Sequence, residues 1–166
     1  MKHTSERGFT LVEIMIVVAI IALLAAIAIP NVLRGRATAN ETAAIGNVRA
    51  LISSVEMYRA VYQAYPTPTA SWVTQMYSAT PPFGPPAFNL AMSDANAVQG
   101  FLYLYEPVGS TQYRIRARPQ SLGQTGTRAM FGNESGQVFH CSGTQTAATI
   151  TMPTTTIDAV PQTPCP

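Results

Sequence analysis

Gly8-Phe9-Thr10-Leu11-Val12-Glu13-Ile14 opens an apolar stretch from Phe9 to Ile29, 21 residues with one ionisable side chain, Glu13. As a helix it spans roughly 31 Å at about 1.5 Å per residue, matching the ~30 Å hydrocarbon core of a bilayer. A membrane-spanning helix is therefore the first reading. A secretory signal competes, since Lys2 and Arg7 are basic and Ala26-Ile27-Ala28 resembles a cleavage site. The run is longer than the usual ~7–15 residue core of such a signal, and Glu13 sits inside it. A buried core helix fails for another reason: nothing else in the chain is large enough to surround it. A simple anchor leaves Glu13 without a purpose, although a carboxylate near lipid is costly and usually functional. The basic residues flanking the stretch, Lys2 and Arg7 before it and Arg34 and Arg36 after it, do not set an orientation.

Glu13 lies four residues after Phe9. A cut between Gly8 and Phe9 would place a new α-amine one helical turn from that carboxylate and opposite to it in charge. In a bundle of such helices Glu13 of one copy would instead pair with the Phe9 amine of a staggered neighbour. Burial weakens screening, makes the pairing directional and sets an axial register.

This stretch resembles the prepilin peptidase site of type IV pilins and type II secretion pseudopilins. The likeness continues through Met15-Ile16-Val17-Val18-Ala19-Ile20-Ile21 and Leu24-Ala25-Ala26-Ile27-Ala28-Ile29-Pro30. The resemblance implies removal of residues 1–8, N-methylation of Phe9, insertion in the inner membrane, and extraction into a filament. Ala22 stands where many type IV pilins carry glycine. It favours helix by about 0.8–1 kcal/mol over glycine, which limits any loosening toward it from Pro30, where one helical hydrogen bond is missing.

Beyond Asn31 the apolar residues become one-faced. Ile45, Val48, Leu51, Ile52, Val55, Tyr58 and Tyr62 form the stripe of an amphipathic helix, ending by Tyr65 because Pro66 disfavours helix before it. The expected order is a cleaved leader (1–8), an apolar membrane and filament-core helix (9–30), an amphipathic helix (31–65), and a β head with a Thr/Pro-rich tail (66–166). The fold class is α+β, a long N-terminal helix packed against a C-terminal antiparallel sheet.

Six prolines between Pro66 and Pro86 mark a connecting segment with one short helix near Ser71–Tyr77. Four strands are expected: Phe101–Tyr105, Tyr113–Arg118, Arg128–Phe131 and Gln137–Cys141. Gly132–Gly136 reads as a hairpin loop between the last two. In the second, Tyr113, Ile115 and Ala117 alternate with Arg114, Arg116 and Arg118, the period of a half-buried strand. The arginine row reads as a solvated face in preference to a DNA-binding one, since it would neutralise few phosphates. Motifs of this region, including Thr125-Gly126-Thr127-Arg128 and Asn133-Glu134-Ser135-Gly136, also resemble a subgroup of pilin-like proteins.

Cys141 and Cys165 are the two cysteines. In an exported chain an even count points to a disulfide, and the pair resembles the one bounding the C-terminal loop of many type IV pilins. Two unpaired thiols are the alternative. A zinc site from His140, Cys141 and Cys165 lacks a fourth ligand. A calcium site would need clustered acids, whereas Asp94, Glu106, Glu134 and Asp158 are scattered. Two triplets, Asn40-Glu41-Thr42 and Asn133-Glu134-Ser135, match the N-glycosylation pattern.

The chain has two His, two Cys and eight acids, carries no Gly-x-Ser-x-Gly elbow and no phosphate-binding glycine loop, and does not read as an enzyme. No cofactor, metal or nucleic acid is expected. The partners are copies of itself, prepilin peptidase, an inner-membrane assembly platform, and lipid before assembly. The expected role is a structural subunit of a type IV pilus-like filament at the cell surface, with Phe9, Glu13 and Pro30 serving assembly. The alternatives are a periplasmic type II secretion pseudopilin, or a membrane-anchored binding module that does not polymerise.

Overall fold

A computed structural model describes residues 8–67, 72–89, 92, 96–108 and 111–142. Helix α1 runs over Leu11–Tyr62, 52 residues, and continues through Pro30. Its end is set by Gln63, whose left-handed φ of 56° turns the chain while its N–H donates to the Arg59 carbonyl at 2.8 Å. Arg59 in the last turn complements the negative end of the helix dipole. Short helix α2, Trp72–Tyr77, and a 3-10 turn, Pro86–Phe88, follow within the proline-rich segment.

The chain divides into two compact units, Met1–Gly35 and Arg36–Pro166. The described part of the first is helix whose residues are exposed from Leu11 onward, apart from half-buried Ala25. α1 is long and apolar enough to cross a membrane.

The second unit is an α+β layer structure. Its sheet is an antiparallel meander in the order β1 (Ala97–Val98), β2 (Phe101–Val108), β3 (Gln112–Pro119), β4 (Arg128–Asn133) and β5 (Val138–Ser142). The four expected strands are present and a fifth, two residues long, pairs with the start of β2 through Ala97↔Leu102. β2 reaches three residues past Tyr105 because its register with β3 is unbroken from Phe101↔Pro119 to Val108↔Gln112.

One face of α1 (Ala44, Val48, Leu51, Ile52 and Val55) is buried in the same core as Phe101, Tyr103, Tyr105, Tyr113, Ile115, Ala117 and Met130. The stripe read from sequence fades at its ends: Ile45 and Tyr58 are half-buried, and Tyr62 is exposed. Tyr62 still packs its ring 4.6 Å from Tyr58 and 6.0 Å from Phe83. Gly132 belongs to β4 and not to the loop. A Cβ there would fall 2.6 Å from Ile52 Cδ1 and 2.8 Å from Val48 Cγ1, so the helix approaches the sheet against bare backbone. The turn itself is Asn133–Gly136, closed by the Gly136 N–H on the Asn133 carbonyl.

The arginine row is less solvated than the alternation implies. Arg114 is exposed, but Arg116 and Arg118 are half-buried. Arg116, with a side chain 14% exposed, pairs at 2.7 Å with Glu106 on the neighbouring strand, a diagonal cross-strand contact. On this side of the sheet Ala129, Phe131, Phe139 and Cys141 form a second buried apolar cluster.

Candidate assembly site

At the start of α1, Thr10 and Glu13 satisfy one another. The Thr10 N–H and hydroxyl each donate to Glu13 Oε2 at 2.8 Å, and the Glu13 N–H donates back to Thr10 Oγ1 at 3.3 Å. This is the reciprocal arrangement of a capping box: an N-cap hydroxyl three residues before a glutamate, satisfying donors the first helical turn leaves free. The carboxylate is thereby folded toward the N-terminal end of the helix, where the dipole also favours a negative charge.

Phe9 and Gly8 precede this cap in non-helical, exposed chain. Of the expected leader, Gly8 alone lies among the described residues. A Cβ on Gly8 would meet nothing within 4 Å, so the chain's own fold does not require glycine at this position. Pro30 lies inside α1, where the missing N–H frees the Ala26 carbonyl from its helical partner. The expected disulfide involves Cys141, buried in β5, and Cys165, which lies outside the described residues. His140 and Cys141 are consecutive in β5 and emerge on opposite faces, so they do not converge as metal ligands.

A polar site that the sequence reading passed over lies where α1 meets β4. Glu41 is buried, its side chain 7% exposed. Its Oε1 accepts from the Thr127 N–H at 2.6 Å and the Thr127 hydroxyl at 2.8 Å. Its Oε2 accepts from Arg128 Nε at 2.9 Å and Nη2 at 2.7 Å, a two-pronged pairing. Burial pushes the carboxyl pKa up, but the Thr127 N–H, the Arg128 guanidinium and the Thr127 hydroxyl outweigh it and hold the group below its ordinary value. Next to it, Asn40 Nδ2 donates to the Thr125 carbonyl at 3.2 Å. The signal was available: Glu41 precedes Ala44, Ile45 and Val48 at helical spacing, so it stands on the buried stripe, where a carboxylate needs a cation.

The family pattern described as a prokaryotic N-terminal methylation motif matches residues 3–29. The type IV wide pilus major component PilA4 of Thermus thermophilus is 35% identical over 93 residues, covering 56% of this chain and 70% of that protein. The type II secretion system core protein G of Klebsiella michiganensis is 37% identical over 67 residues, 40% of this chain and 47% of the relative. That of Pseudomonas aeruginosa is 39% identical over 67 residues with the same coverage. The chain thus spans about half the length of these core protein G relatives.

Proposed function

The chain belongs to the type IV pilin and type II secretion pseudopilin family, and from that premise we propose that it is a structural subunit of a type IV pilus-like filament. Prepilin peptidase cuts between Gly8 and Phe9, Phe9 is N-methylated, and the mature chain polymerises through α1. Before assembly the apolar part of α1 sits in inner-membrane lipid. An assembly platform in that membrane then lifts it into a bundle of copies whose heads form the outside of a cell-surface fibre.

The observation that carries this reading is the placement of Glu13. It is the single carboxylate in the stretch from Phe9 to Ile29, and its Oε2 is drawn back onto Thr10, one residue from the amine that cleavage would create. In lipid a lone carboxylate is costly, and its attraction to an amine grows as water is excluded. A neighbour displaced along the helix offers that amine, so bundling relieves the cost and fixes the stagger. Exposed Val12, Ile16, Ile20, Leu23 and Ile27 supply the dispersion contacts that hold helices together in an apolar medium. Pro30 provides a point at which the helix can lengthen on packing. Cys141 pairs with Cys165 and ties the tail to β5.

The second reading is a type II secretion pseudopilin, favoured by the likeness to core protein G over 67 residues. Surface fibres and their composition separate the two, and an anchored module that never polymerises gives no fibre. In cells making the protein, Glu13→Ala should leave processing intact and sharply reduce sheared filament. Normal yield from that variant would remove the pairing from the account. A bulky residue in place of Gly8 should leave an uncleaved band.

A further inference from the structure

Within the unit Arg36–Pro166, five large apolar side chains are exposed among the described residues, and they do not scatter evenly. Met57, Val61 and Tyr62 lie on the last two turns of α1, and Val73 is on the neighbouring short helix. The fifth, Leu122, is in the β3–β4 connection, and that connection is fastened beside Asn40 and Glu41. Residues 41 and 57–61 are separated by about 24–30 Å of helix at ~1.5 Å per residue. The two apolar places are therefore at opposite ends of the helical layer of this unit.

A single exposed leucine is ordinary. The loop that carries this one is not. Residues 120–127 are fixed by the Glu41 carboxylate on Thr127 and by the Asn40 amide on the Thr125 carbonyl. Inside the loop the Thr125 hydroxyl accepts from the Ser121 N–H at 3.0 Å, and the Gly123 N–H donates to the Gly126 carbonyl at 2.8 Å. Gly126 lies so close to Phe101 that a Cβ would fall 2.7 Å from its ring. A buried ion pair is a poor source of net stability but a good way to specify one arrangement. Here the arrangement specified is a loop whose apolar tip, 46% exposed, adds nothing to the core.

We propose that the Leu122 loop of one copy docks onto the Met57–Val61 end of α1 of a second copy, forming a head-to-tail contact between filament subunits. The inference rests on the filament reading above. Met57 and Val61, 51% and 62% exposed and one turn apart, form an apolar patch on one face of the helix. The occupant is a second copy because the two patches differ and sit at opposite ends. A two-fold dimer would join such a pair only with its helices antiparallel, whereas copies drawn from one membrane into a filament run parallel, an arrangement in which the pair repeats along an open helical array. The exposed polar side chains beside Leu122 are the uncharged amides of Gln120 and Gln124, so the tip of the loop brings no charge to an apolar contact. The rigid loop arrives pre-shaped, which lowers the ordering cost of the contact.

The test is disulfide trapping in filaments assembled by the full chain in cells. The double variant Leu122→Cys/Met57→Cys, mildly oxidised and run without reductant, should give a ladder of covalent multimers. Co-expressed single variants, Leu122→Cys with Met57→Cys, should stop at a dimer. A dimer from Leu122→Cys alone, or monomer only from the double variant in intact filaments, overturns the docking and leaves the filament reading standing. Absence of filaments from the unmodified chain overturns the filament reading itself. Leu122→Asp supplies a check that needs no added thiol. It should lower the yield of sheared filament while Leu122→Met preserves it, and equal yields would contradict the proposal.

Discussion

Removing the Glu41 carboxylate should destabilise the head more than any exposed ion pair would. Four hydrogen bonds at 2.6–2.9 Å end on this one group, and Glu41→Ala leaves the Thr127 N–H and the Arg128 guanidinium without their acceptors. Breaking a buried pair from one side costs about 3–5 kcal/mol. The Arg128 side chain is 34% exposed, so its guanidinium regains part of its hydration. That brings the expectation to about 2–3 kcal/mol, most of it the desolvation of stranded donors. For a unit of this size each kcal/mol moves the midpoint by roughly 3–4 °C, giving a fall of about 6–12 °C. Thermal unfolding of the full chain in detergent, followed by near-ultraviolet circular dichroism from the buried tyrosines and Trp72, reads it directly. Arg128→Ala and the double variant complete a cycle, in which the second change should cost much less once the first is made. A loss below about 1 kcal/mol for Glu41→Ala, the range of a surface pair, would refute the reasoning.

Further outcomes follow from the same contacts. The Glu41 carboxyl is held below its unfolded pKa, so its contribution is complete above the ordinary carboxylate range and is lost as the pH falls through the folded value. The midpoint gap between the native chain and Glu41→Gln should therefore close on acidification, and a gap that widens would contradict it. Gly132→Ala must push Ile52 and Val48 off the sheet, which should cost about 1–3 kcal/mol in denaturant unfolding. An unchanged midpoint would mean that α1 yields freely there. Cys165→Ser should abolish the mobility difference between reduced and unreduced protein and lower stability by roughly 3.5 kcal/mol, the chain-entropy value for a loop of this length. Identical mobilities for the native chain with and without reductant would show that no such bond forms.

Much of the fold was legible because its signals are periodic. The apolar run from Phe9 to Ile29, interrupted by Glu13 alone, and the odd–even alternation from Tyr113 to Arg118 each select one geometry. The stripe from Ile45 to Val55 selects a helix face, and the turn glycines and prolines punctuate the rest. β1 was not legible, since two residues carry no period and the strand exists through its pairing with β2. Gly132 read as turn because glycine usually punctuates; its place inside β4 is decided by how closely Val48 and Ile52 approach, a tertiary fact. The arginine row read as solvated because alternation gives the face of a side chain but not its partners, and Glu106 comes opposite through strand register. Glu41 was passed over because the stripe was counted in apolar residues alone. A charged residue at a stripe position is the mark of a buried pair, although its partner, 87 residues on, could not be named from spacing. The Thr10–Glu13 cap was written in the sequence as a hydroxyl three residues before a glutamate at the head of an apolar run.

The central claim is that a cut after Gly8 converts a membrane-spanning chain into a polymerising one. Intact-mass measurement on subunits released from sheared surface fibres addresses it most directly. The account predicts a chain beginning at Phe9 and carrying one added methyl group on its α-amine. Fibre subunits that begin at Met1 or at Ile29, or mature chains that never appear in fibres, would contradict it.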